Sequence, residues 1–272
     1  MDKSRAKEEK IQASPTTITV DSPAALVSMF ESVHGLPTKP PSFFLDAQMY
    51  NGKAIFLSLF IPLQENLYRI KIDGRRGIDL STPGPKGESL KTILESESIP
   101  KITFDVRPLS YALYRQHNIS LDGIRDLQLM ELASRDAKQS KKYVKGLVKC
   151  IEQDTDPSNE VRQRWLGTEN VDEYHISNVL GHAPRSSMKR VEVFPTLWNV
   201  YYARLRRPAE AFWLAQSRWE SQTRVAASQL PKFNINDKGN ALGPEVWYDH
   251  EQRKYAMDNW NEDQTIGIRI GG

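Results

Sequence analysis

The sequence predicts a mixed α/β domain whose second half is helical. Residues 54–61 are nearly continuous in apolar side chains, which is typical of a strand buried on both faces of a sheet. Asn51-Gly52, a strong hairpin signal, joins this segment to a strand candidate at residues 43–46. Apolar residues at helical spacing then alternate with further short strand candidates. Periodicity alone therefore indicates a mixed α/β class.

The elements of the first half can be justified in order. Thr16–Val20 is a short β-branched run, and the following Asp21-Ser22-Pro23 can cap and open a helix. After the hairpin, a third strand is predicted at residues 67–72, and glycines and prolines mark a loop up to Gly87. Beyond the loop the pattern predicts a helix, a strand, a helix and a strand, at residues 88–95, 101–104, 109–117 and 124–126.

The second half is predicted to contain four helices, at residues 141–153, 161–166, 188–205 and 208–228. Pro195 lies inside the third, so that helix is expected to kink or to start anew there. We expect residues 1–14 to be a disordered lead, residues 15–229 the folded domain, and residues 230–272 a loosely ordered tail. Within the tail, Val246-Trp247-Tyr248 is a candidate to dock onto the domain.

Composition limits the class of protein. The net charge of +3 and the sequence pI of 8.8 are mildly basic and favour an anionic partner. The single cysteine, Cys150, cannot form an internal disulfide, which favours a reducing compartment. No apolar run approaches the length that crosses a bilayer. The expectation is an intracellular protein without a membrane partner, in the nucleus or the cytoplasm.

Three stretches carry a family resemblance: SFFLDAQ at residues 42–48, KITFDVR at 101–107 and DLQLME at 126–131. Together they resemble the 3'-5' exonuclease domain of the DEDD superfamily. The resemblance implies a ribonuclease H-like mixed β-sheet flanked by helices, with a helical C-terminal half.

The resemblance also implies a site, in which four acidic side chains hold two Mg²⁺ or Mn²⁺ ions against the scissile phosphate. Aligned on the family's motifs, Asp46 keeps the first acidic position, but Gln48, Tyr111 and Arg190 stand at the other three. Ser186 stands where one branch of the family has a water-positioning tyrosine. Asp46 is thus the one metal ligand that the alignment retains.

The charge of this site determines whether it is expected to hold two metal ions. Asp46 and Arg190 sum to about zero, whereas two dications close together need several carboxylates to offset their repulsion. We therefore expect no hydrolysis and no cofactor, with Mg²⁺ or Mn²⁺ required if the chain is active after all. Arg190 can either pair with Asp46 or bind a phosphate directly, and the sequence does not choose.

Basic residues supply candidate contacts to nucleic acid. Lys141, Lys145 and Lys149 are spaced to line one face of a predicted helix, where they could follow a phosphate backbone or be a solvated face. Arg185, Lys189 and Arg190 form a second basic group.

The leading hypothesis is an exonuclease-like protein that binds nucleic acid, RNA rather than DNA, without cleaving it. One alternative is a non-catalytic scaffold for a protein partner, using the helical half and the tail. The other is an active metal-dependent 3'-5' exonuclease whose ligands are rearranged, with Asp105, Asp122 or Glu131 reaching the site.

Overall fold

The computed structural model describes residues 14–50, 53–72, 77–168 and 190–270, with the side chains of 167–168 and 263–270 excepted. The predicted disordered lead therefore lies outside the described residues, apart from Ser14.

The described residues form one six-stranded sheet in the order β1-β4-β3-β2-β5-β6. β2, β3 and β4 form an antiparallel meander, whereas β1 pairs in parallel with β4, β5 with β2 and β6 with β5. This arrangement confirms the predicted ribonuclease H-like mixed sheet. The strands are β1 Thr16–Val20, β2 Phe43–Tyr50, β3 Lys53–Ile61, β4 Asn66–Lys71, β5 Lys101–Thr103 and β6 Ile124–Asp126.

Helices cover both faces of the sheet and continue to the end of the described chain. They are α1 Pro23–Val33, α2 Leu90–Glu95, α3 Val106–His117, α4 Leu127–Ala133, α5 Leu147–Asp154, α6 Glu160–Thr168, α7 Phe194–Leu205, α8 Ala211–Gln229, α9 Glu245–Tyr248 and α10 His250–Ile270. Short 3₁₀ turns lie between these strands and helices, at Pro62–Gln64, Arg190–Val193, Pro208–Glu210 and Lys238–Ala241.

Local signals explain several helix starts. Ser22 Oγ accepts a hydrogen bond from the Ala25 amide with Pro23 in the first turn, which confirms the predicted start of α1. Pro195 lies in the first turn of α7, directly after the 3₁₀ turn Arg190–Val193. The predicted new start at this proline is therefore confirmed, because proline lacks the amide that a helix interior requires.

The period of two along β2 determines which side chains meet in the site. Phe43, Leu45 and Ala47 point into the core between the sheet and α1, α2 and α3. Phe44 belongs to the second core, with α4, α5 and α7. Since Asp46 follows Phe44 by two residues, it shares that second face, against which the turn Arg190–Val193 packs.

Two predictions about the second half are wrong. The helix expected at residues 141–153 begins only at Leu147, after Gly146 at its N-cap, and Tyr143 instead forms a β-bridge with Leu242. The tail is not loosely ordered, since it forms α9 and α10. Its predicted anchor is confirmed, because the side chain of Trp247 is 0% exposed. No described helix has the length and apolar character of a membrane span.

Candidate functional site

A cleft of about 270 Å³ opens beside β2, between the start of α3 and the start of α5. Its polar lining consists of Asp46, Asp105, Gln128 and Arg190. The structure thus brings together two of the four aligned positions, the first acid and the arginine.

Asp46 and Arg190 form an ion pair across the cleft, with Nε of Arg190 3.6 Å from Oδ2 of Asp46. The side chain of Asp46 is 10% exposed and that of Arg190 is 36% exposed. Burial raises the pKa of Asp46, while Arg190 and the amide of Ala47 act against the rise. Oδ2 of Asp46 has no hydrogen-bond partner among the described residues. The contact is therefore a charge pair rather than a hydrogen bond.

Gln48 lies on the same face of β2 and meets a second arginine. Nη2 of Arg69 donates to Oε1 of Gln48 at 3.3 Å, and its guanidinium lies 3.5 Å from the centre of the Phe56 ring. Burial lowers the pKa of Arg69. The aligned position for a second carboxylate is therefore a neutral amide that faces a cation.

Asp105 is the second carboxylate of the cleft, and arginines bind it. Its backbone adopts a left-handed φ of 54°, which turns the chain from β5 into α3. Both carboxylate oxygens accept from Arg107, at 2.6 and 2.9 Å, and Arg224 lies 3.7 Å away. Arg107 also donates to the carbonyl of Asn240 at 2.9 Å, so the C-terminal segment helps to fix this pair.

Asp126 lies behind Asp105 and is fully buried. It accepts from Arg224 at 2.8 Å and from the amides of Asp105, Val106 and Gln128 at 2.9, 3.1 and 3.0 Å. Asp126 is thus the N-cap of α4 and also holds the turn at Asp105. It does not line the cleft.

Tyr111 does not line the cleft. The ring of Tyr111 packs against Phe233 of the C-terminal segment at 5.7 Å. The residues of α3 that line the cleft are Pro108 and Leu109, because the helix starts at Val106 and its first turn faces the end of β5. The alignment of Tyr111 with an acidic position of the family stays a prediction.

The residues of the cleft do not fit a pair of divalent metal ions. Each of its two carboxylates has a guanidinium partner, and apolar side chains such as Leu109 form part of the lining. Within the described part of the chain, no group of three or more His, Cys, Asp or Glu side chains is placed to hold a metal. Mg²⁺ prefers several free carboxylate oxygens, and this cleft does not offer them.

Other acids considered as rearranged ligands are elsewhere. Glu131 lines a different pocket and is bound by Arg135 at 2.6 Å and by Lys145 at 3.0 Å. Asp122 lies near Lys101, at the end of β5 opposite the cleft. Of the three candidates, Asp105 alone lines the cleft.

The predicted lysine face does not exist as one helix surface. Lys141 is buried, and its ammonium donates to the carbonyls of Leu132, Ala133 and Arg135 at 3.0, 2.8 and 2.7 Å. Lys145 precedes α5 and pairs with acids, whereas Lys149 is exposed on α5.

Three residues of the predicted site, Arg185, Ser186 and Lys189, lie outside the described residues. A role of the exposed cations in binding stays a prediction.

Comparison with known proteins shows which solved structures share this fold. Neither a family model nor a curated protein matches the sequence. Trypanosoma brucei RNase D superposes with a TM-score of 0.59 at 17% identity, over 88% of this chain and 81% of that chain. Its complex with RNA U12 superposes with a TM-score of 0.57 at 15% identity, over 85% and 77%. The chain therefore has the fold of these DEDD-superfamily exonuclease domains, as the resemblance implied.

Proposed function

We propose that the chain binds single-stranded RNA in the cleft beside Asp46 and does not hydrolyse it. One observation carries this proposal: a guanidinium, that of Arg190, contacts the carboxylate that would otherwise be available to a metal ion. Arg190 meets Asp46 through Nε, so its two Nη groups can bind the oxygens of a phosphate.

The charges around the cleft support binding without a metal. Three carboxylates, those of Asp46, Asp105 and Asp126, each form an ion pair with at least one of three guanidinium groups, those of Arg107, Arg190 and Arg224. The formal sum of these six side chains is zero, so the acids are balanced by cations without a metal ion. Hydrolysis by two metal ions needs several carboxylates that are not already paired. A strand held here is expected to stay intact.

The choice of RNA rests on the fold. Trypanosoma brucei RNase D, which shares this fold, was solved with RNA U12 and, in another structure, with GMP. The net charge of +3 agrees with an anionic partner.

Fluorescence anisotropy with a labelled uridine oligonucleotide tests the proposal. Binding is expected at low salt, unchanged by EDTA, and weaker as salt rises, because counterions are released from the strand. Arg190→Glu should weaken it about tenfold or more, since a repulsive charge replaces a phosphate ligand. Arg218→Glu, at an exposed position on α8, is the control for net charge. The absence of binding at low salt would refute the proposal.

A second candidate function, docking of a protein partner, has one observation in its favour. Most side chains of α10 up to residue 262 are exposed, including Tyr255 at 70% and Met257 at 37%. Trp219 on α8 is also 70% exposed. Exposed aromatic residues are common in protein interfaces. A chain that stays monomeric and alone after purification from its native cells would count against this role.

A further inference from the structure

A second pocket, of about 310 Å³, is formed beside the start of α5 and the end of α7. We call it the second pocket. Its charged lining consists of four cations and three acids: Arg135, Lys145, Arg204, Arg207, Glu131, Asp136 and Asp154.

Two of these acids are neutralised within the pocket wall. Glu131 is 2% exposed and is paired with Arg135 and Lys145. Asp154 is 11% exposed and accepts from the hydroxyl of Tyr201 at 3.1 Å and from Lys145 at 3.4 Å. Asp136 remains as an exposed acid of the lining.

Arg204 is the cation of this pocket with the most capacity for a new partner. Its side chain is 43% exposed, and its Nη1 lies 4.0 Å from Asp154, beyond hydrogen-bond distance. Arg207 is 60% exposed but already contacts Glu210 at 3.5 Å. Arg204 is therefore the lining cation that is best able to bind an anion.

Two consecutive residues separate the second pocket from the cleft. Lys145 lines the second pocket and Gly146 lines the cleft, while Nε2 of Gln128 donates to the Lys145 carbonyl at 3.0 Å. Gly146 is exposed and carries no side chain, and no heavy atom lies within 4 Å of the position that a Cβ would take. The backbone at Gly146 is therefore accessible to a ligand, and a side chain placed there would have space.

We propose that a single strand of nucleic acid passes from the cleft over Gly146, and that Arg204 in the second pocket binds the phosphate of a neighbouring nucleotide. This path rests on the proposed function, because it extends the binding surface of the same cleft. A groove that tracks the backbone with successive cations is a common arrangement for single strands.

A matched pair of substitutions at Gly146 tests the path. Its φ of −74° and ψ of 161° suit any residue, and Asp and Asn are both favourable at the N-cap of α5. Both variants are therefore expected to fold. Gly146→Asp adds a negative charge on the path and should weaken binding of a roughly eight-nucleotide uridine strand by about tenfold. Gly146→Asn has nearly the same shape without the charge, so it should bind the strand about tenfold more tightly than Gly146→Asp does.

The salt dependence of binding tests the phosphate contact. Arg204→Ala should make the negative slope of log K against log salt less steep by about 0.7, which is the loss of one contact to a single-stranded phosphate. Arg206→Ala removes the same charge from an exposed neighbour outside the pocket lining and should leave the slope unchanged.

The outcomes separate the two proposals. If the unmodified chain binds RNA but Arg204→Ala equals Arg206→Ala, the path is wrong while binding in the cleft stands. If Gly146→Asp equals Gly146→Asn, the strand does not pass Gly146 and the path is likewise wrong. If the unmodified chain does not bind RNA at low salt, both proposals fail.

Discussion

Arg190 and Asp46 form an ion pair at the cleft, with 3.6 Å between Nε of Arg190 and Oδ2 of Asp46, which lies on β2. The pair removes a free carboxylate from the cleft and partly compensates a buried charge. The proposed role in binding RNA without hydrolysis depends on this ion pair.

Removing the guanidinium of Arg190 should destabilise the fold, because the buried carboxylate of Asp46 would lose its partner. Arg190→Ala is expected to lower the free energy of unfolding by about 1 kcal/mol, less than for a fully buried pair because Arg190 is 36% exposed. Urea unfolding measures the change. In the Asp46→Asn background the same substitution should cost much less, and an equal loss in both backgrounds would show that the two residues are not coupled.

Asp46→Asn should stabilise the chain at neutral pH. Burial raises the pKa of Asp46, so between the ordinary value of 3.8 and the raised one the folded state binds more protons than the unfolded state. Stability therefore falls as pH rises through this window, and the cost is fully present above it. Thermal unfolding should show the variant more stable near neutrality by about 1 kcal/mol, with the difference vanishing below pH 3.8. A variant that is less stable at neutral pH contradicts this expectation.

Lys101 should make stability rise with pH on the alkaline side. It is fully buried and bonded to the carbonyls of Ile93 and Ser96, and burial lowers its pKa from 10.5 to about 7. Between these values the unfolded state binds more protons than the folded state, so stability increases with pH. Lys101→Met should flatten the increase, although the lost bonds lower stability overall. An unchanged slope would exclude Lys101 as the source.

Arg224 should be among the most sensitive positions. Its side chain is 9% exposed and pairs with Asp126, which is 0% exposed. Arg224→Met leaves a buried carboxylate without a cation, which costs about 3–5 kcal/mol. Arg218→Met, at an exposed position on the same helix, should change stability by less than about 0.5 kcal/mol. Similar losses in the two variants would contradict the ion-pair account.

Gln48→Glu should not restore a metal site. Arg69 donates to Oε1 of Gln48 at 3.3 Å, so a carboxylate there would pair with the guanidinium instead. Titration with Mn²⁺, followed by electron paramagnetic resonance, should show no saturable binding to this variant. Tight, stoichiometric Mn²⁺ binding would contradict this expectation and show that Arg69 does not keep the new carboxylate from a metal ion.

The local sequence was sufficient for two neighbouring strands of the sheet, whereas the ribonuclease H-like topology came from the family resemblance. The apolar run at residues 54–61 and the hairpin signal before it predict β2 and β3, because strand burial and turn chemistry are local properties. Pairing of Arg190 with Asp46 was one of two alternatives that the alignment left open, and the distance favours it.

Tertiary contacts explain what the sequence did not reveal. Lys141 has helical spacing to Lys145, yet its ammonium is taken up by carbonyls at the end of α4, which no spacing can indicate. Arg69 and Arg224 come from distant elements, so no motif near the cleft points to them. Tyr111 lies outside the cleft lining, because the first turn of α3, at Pro108 and Leu109, faces the cleft.

Incubation of a 5'-labelled single-stranded RNA with the chain and Mn²⁺ shows whether the chain acts as a nuclease. We expect the strand to keep its full length, because the carboxylates of the cleft are already paired with arginines. A ladder of products shortened from the 3' end, abolished by Asp46→Ala, would contradict the account and establish an active exonuclease.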